Sequence, residues 1–170
     1  MAKKVPFRLR VMQAVTECLQ GITKENGYNY DLDKSVFRGR LMYGDSDPIP
    51  LVSILEAPLP DEPNITPASG TTWKGEWRLL IQGWVDDDKQ NPTDPAHYLM
   101  ADVKKALATE RKNMIRPGRG NDLLGMKGRV TDITIGACVV RPAEEQVNEY
   151  ANFLLSVSLE IAENMADPYE

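Results

Sequence analysis

One histidine, His97, and two cysteines, Cys18 and Cys138, are all the imidazole and thiol chemistry the chain contains. A histidine works as general acid or base when a nucleophile or a second base stands with it. No such motif accompanies His97, which falls in the first or second turn of a predicted helix, where a surface or interface role is expected. No Cys/His spacing fits zinc, no glycine motif fits a phosphate loop, and no Gly-x-Ser-x-Gly elbow occurs. Asp86, Asp87 and Asp88 could offer oxygen ligands to a divalent cation. A calcium loop spaces its ligands and places a glycine among them, so this run reads as a solvated turn. Arg116, Pro117, Gly118, Arg119 and Gly120 could meet phosphate, but no aromatic platform accompanies them and the net charge is −5. No catalytic residue, metal site or cofactor is expected.

Charge is segregated along the chain. Lys3, Lys4, Arg8 and Arg10 occupy the first ten residues without an acid, and residues 111–129 carry Arg111, Lys112, Arg116, Arg119, Lys127 and Arg129 against Asp122 alone. Residues 144–170 hold seven acids and no base. The net negative charge argues against nonspecific nucleic-acid binding. Segments of opposite sign can complement a second copy of the chain, which makes Asp86, Asp87, Asp88, Arg116, Arg119, Lys127 and Arg129 the candidate interface residues. Solvated loops of unrelated sign are the plainer reading.

The elements that would position these residues follow from periodicity. At 170 residues, 42% hydrophobic and 26% charged, the chain has the size and composition of one globular domain. No apolar run approaches the roughly 18 residues of a membrane span, and the basic start leads into a helix pattern instead of a signal peptide. Both cysteines sit among apolar neighbours and read as small buried hydrophobes in a reducing compartment, with no disulfide implied. Met12, Val15, Leu19 and Ile22 recur at helical spacing from about Pro6, with Gly27 as a stop. Residues 36–40 and 51–55 read as strands joined by a turn-rich linker. Pro58, Pro60, Pro63 and Pro67 mark residues 57–71 as a long loop.

Residues 72–85 read as one strand: Trp73, Gly75, Trp77, Leu79, Ile81, Gly83 and Val85 on one side, Lys74, Glu76, Arg78 and Gln82 on the other, with Leu80 and Trp84 interrupting the polar face. Such a length suggests a strand outrunning one core, or two strands divided by a bulge near Gly83. Asp94 and Pro95 start a second helix, expected to end near Glu110. Residues 111–128 read as a second long, mobile loop, followed by strands over 130–140 and 153–161. The expected fold is a single α+β domain, a mostly antiparallel sheet flanked by two helices in the order αβββαββ, with two antiparallel pairs.

Three blocks, taken in order, resemble a known family. The first is Val-Phe-Arg-Gly-Arg at 36–40, with Gly-Asp-Ser-Asp-Pro-Ile-Pro at 44–50 and Ser-Ile-Leu-Glu at 53–56. The second is Trp-Arg-Leu-Leu-Ile-Gln-Gly-Trp-Val at 77–85, with Asn-Pro-Thr-Asp-Pro-Ala at 91–96. The third is Val-Val-Arg-Pro at 139–142, followed by the strand that begins at Phe153. Their order and spacing, over nearly the whole chain, resemble the tail terminator (minor tail, or tail completion) proteins of long-tailed bacteriophages. The resemblance implies a structural virion protein of the tail, assembled in the host cytoplasm. It implies a homo-oligomeric ring, expected to be a hexamer, that caps the tail tube, stops its polymerisation and provides the head-joining surface. The implied partners are a second copy, the tail tube protein and a head completion or connector protein, with DNA passing through the ring but no specific nucleic-acid or membrane binding. A head-tail connector adaptor would share the ring and the small α+β subunit; a small enzyme would need a pocket of convergent titratable groups.

Overall fold

The apolar stripe of the first segment folds as helix α1, Phe7–Gln20, which buries Phe7, Val11, Met12, Val15 and Leu19. In the computed structural model, which describes residues 3–58, 70–114, 122–144 and 146–170, Pro6 stands just ahead of α1 and its carbonyl accepts the Arg10 N–H at 3.0 Å. The helix stops at Gly21, earlier than the Gly27 stop expected, because the Asn26 amide donates to the Gly21 carbonyl at 2.9 Å and turns the chain there. Ile22 nonetheless remains fully buried and extends the stripe.

A five-stranded sheet follows, built from β1 (Val36–Arg38), β2 (Leu51–Glu56), β3 (Thr72–Val85), β4 (Val130–Arg141) and β5 (Ala151–Asn164), in the spatial order β1-β2-β3-β5-β4. Helix α2, Asp94–Met114, begins at the Asp94-Pro95 signal. Both helices pack on the face made by alternate residues of the long strands, and Phe153, Leu155, Val157, Leu159 and Ile161 of β5 join Leu99, Val103 and Leu107 of α2 in one core. This is the α+β, mostly antiparallel, αβββαββ arrangement. Among the described residues no helix is long and apolar enough to cross a membrane.

Four features complete or correct the sequence reading. First, β1 and β2 run parallel, with Val36 opposite Val52. A hairpin closes on a few residues, whereas residues 39–50 are long enough to run back over the sheet before β2 begins. Second, β3 carries no bulge at Gly83: it pairs with β5 in one unbroken register from Thr72↔Asn164 to Val85↔Ala151. The register breaks lie instead in the edge strand β4, between Val130 and Asp132 and between Ile135 and Cys138, the usual place for bulges. Third, the loop expected over 111–128 is helix as far as Met114, since no glycine or proline intervenes before Pro117. Its far end is anchored, because Leu123 and Leu124 are buried and the Leu124 N–H donates to the Glu110 carboxylate at 3.0 Å. Fourth, Cys138 is exposed on β4, with the Lys104 ammonium 3.1 Å from its sulfur, and only Cys18 is largely enclosed. Burial, with Glu110 adding to it, pushes the Cys18 thiol up to about 12.

Candidate assembly surface

The sheet face opposite the helices is covered over only half its length. Toward the Thr72 end, Lys74, Glu76 and Arg78 are exposed, as period-two alternation on a one-sided sheet requires. Toward the Val85 end, residues 39–50 lie across it. The Gln82 amide donates to the carbonyls of Arg40 (2.9 Å) and Leu41 (3.1 Å), and the Ser53 hydroxyl donates to that of Arg40 (2.8 Å). Tyr43 meets Trp84 and Tyr150 edge-on, with ring centroids 5.9 and 4.7 Å apart, and its hydroxyl oxygen accepts the Glu149 N–H at 2.8 Å. An Arg40–Asp47 ion pair at 2.5 Å braces the crossing segment, and it holds the Asp47 carboxyl below its usual range, aided by the Gly44 N–H.

This crossing buries Trp84 and Gln82 but turns the side chains of its own Leu41 and Met42 outward. They are 78% and 47% exposed. Both line a cleft of about 280 Å³, which also takes in Trp84, Arg141, Val147 and Leu154. Val147 is 64% exposed, and Val139, opposite Leu154 in the sheet, is 39% exposed. Polar Arg141, Glu144, Asn148 and Asn152 line the same cleft.

The sequence candidates fall at opposite ends of the strands. Asp86, Asp87 and Asp88 are exposed directly after β3, at the Val85–Ala151 end. The Asp88 carboxylate accepts the N–H groups of Asn91 (2.7 Å) and Gln90 (2.8 Å), and these bonds lower its pKa. Lys127 and Arg129 precede Val130, which pairs with Ile161 at the far end. At roughly 3.3 Å per residue, the stretch of β5 from Ala151 to Ala162 separates them by about 35 Å, so the acidic turn and these bases do not meet within one chain. Arg116 and Arg119 lie outside the described residues.

Of the described bases in that segment, only some are open to solvent. Lys127 is exposed. Arg111 is paired with Asp132 at 2.6 Å, and Arg129 is folded inward: its guanidinium lies 3.9 Å from the Phe7 ring centroid and its Nε donates to the Ala162 carbonyl at 3.2 Å. Its Nη1 donates to the main-chain oxygen of Glu170, which also accepts Nη2 of Arg10. His97 is exposed on α2. No group of three or more His, Cys, Asp or Glu side chains among the described residues could hold a metal ion. Sequence reasoning passed over the apolar cluster around Leu41, although two adjacent large apolar residues inside a turn-rich linker were a usable signal. No protein-family model and no curated protein matches the chain.

Proposed function

We propose that the chain is the ring-forming subunit that terminates the tail tube of a long-tailed bacteriophage, halting tube polymerisation and presenting the surface that joins the filled head. It acts as a structural part of the virion tail, assembled in the host cytoplasm, and its ring is a hexamer of identical copies. One observation carries the reading: the exposed apolar cluster of Leu41, Met42, Val139 and Val147 on the half-covered sheet face. A monomer gains nothing by holding such groups in water, whereas a subunit buries them against its neighbour. The order of the sequence blocks supports the same reading.

A ring closes when one surface of a subunit fits a different surface of the next and the rotation between them closes. The acidic turn and the basic end of the same sheet offer two such unlike surfaces. Sedimentation of the purified subunit with polymerised tail tube protein, and separately with the head-proximal connector protein, tests the function. Oligomers that co-sediment with tubes are expected. A subunit that stays monomeric with tubes, or that binds the connector alone, would overturn it.

A further inference from the structure

Beside the N-terminus of α1 lies a pocket of about 490 Å³, lined among others by Phe7, Arg10, Lys127, Arg129, Asn164 and Glu170. Two guanidinium groups converge in it. Arg10 and Arg129 both flank the Phe7 ring, 5.9 and 3.9 Å from its centroid, and both donate to the single main-chain oxygen of Glu170. Among the described residues, Arg10 Nε and Arg129 Nη2 are the buried side-chain nitrogens left without an acceptor. Buried donors cost free energy until they are paired, and two like charges side by side call for an anion between them. A carboxylate, with two oxygens, matches paired guanidinium forks.

We propose that this pocket is a carboxylate-binding site for an acidic peptide segment, with Glu170 as its resident occupant and the acidic turn at 86–88 of a second copy as its assembly ligand. The second-copy assignment rests on the chain being an assembly subunit; the pocket itself does not. The chain's own turn is about 35 Å away along the strands and cannot enter. That turn presents three consecutive exposed carboxylates, and Asp87 has no hydrogen bond or ion pair among the described residues.

Isothermal titration of the full chain at low salt tests the proposal. The ligands are a peptide of residues 84–90, the same peptide with its three aspartates replaced by asparagine, inorganic phosphate, and a short DNA duplex. The acidic peptide alone should bind, and Arg129→Met should weaken it about tenfold or more, the scale of a lost charge-assisted pair. Arg129 also packs on Phe7, so Arg10→Gln gives the same test with that stacking intact, and circular dichroism checks both folds. Preferential binding of DNA or phosphate, or peptide binding unchanged in both variants, would overturn the site. Peptide binding by a chain that never forms rings would keep the pocket and remove the assembly function. Rings unaffected by Arg10→Gln would remove the second-copy assignment and leave the assembly function standing.

Discussion

The two halves of β3 share one backbone register with β5 yet live in different surroundings. From Thr72 to Arg78 the burial alternates, while from Leu79 to Val85 all but Leu80 are buried. The difference is made by residues 39–50, which cross the outer face only above Leu80. A strand's pattern therefore reports what lies on both of its faces, not only its own period. The covered half is a platform from which the exposed apolar cluster projects, and the open half is an ordinary solvated sheet face.

Substitutions can break this contrast, beginning with the largest effect. Trp84→Ala, in the covered half, should cost about 3–5 kcal/mol of unfolding free energy in urea, because Trp84 is 4% exposed and packs against Tyr43. Trp73→Ala, in the open half, should cost less than half as much. Next come the two glycines of the strand. A Cβ on Gly83 would lie 2.4 Å from the fully buried Phe153 ring, so Gly83→Ala should destabilise by about 1–3 kcal/mol. A Cβ on Gly75 would meet Trp73 at 2.8 Å, but that ring is only partly buried and can move. Gly75→Ala should therefore cost under about 1 kcal/mol. Equal losses at the two glycines would show that the two ends of β3 are packed alike on the helix-facing side.

Smaller effects sharpen the contrast. Tyr43→Phe removes the acceptor for the Glu149 N–H and should cost about 1 kcal/mol, read from the denaturation midpoint. The Arg111–Asp132 pair, at the open end, gives the smallest change. The Arg111 guanidinium holds the Asp132 carboxyl below its ordinary value. A lowered folded pKa adds stability above the unfolded value, about pH 3.9, and loses it as pH falls through the folded value. With both side chains largely in water the effect should be small and should fade further as salt rises. Asp132→Asn should remove it at pH 7 and matter progressively less as acid protonates the carboxylate.

Much of the fold was legible in the sequence because the relevant signals are local. The stripe from Met12 to Ile22, the alternation of β3 and β5, and the Asp94-Pro95 helix start each depend on residues a few positions apart. What was not legible depends on distant partners. The parallel pairing of β1 with β2 follows from where Gln82 and Ser53 hold the Arg40 carbonyl. The last turn of α2 is supported by Glu110 and Arg111, which bond to Leu124 and Asp132. Of the candidate site, the exposure of Asp86, Asp87, Asp88 and Lys127 agrees with the charge pattern. Arg129 does not, because a charge run gives the sign of a residue and not its neighbours. Phe7, Arg10 and Glu170 meet Arg129 only in three dimensions.

Electron microscopy of tail tube protein polymerised with and without the subunit addresses the assembly function most directly. The expected result is a ring of six copies at one end of each tube, with tubes that no longer grow there when more tube protein is added. Substituting Leu41 and Met42 with serine should remove the rings while leaving the subunit folded. Tubes that keep growing from both ends in the presence of excess folded subunit, with bare tips, would contradict it.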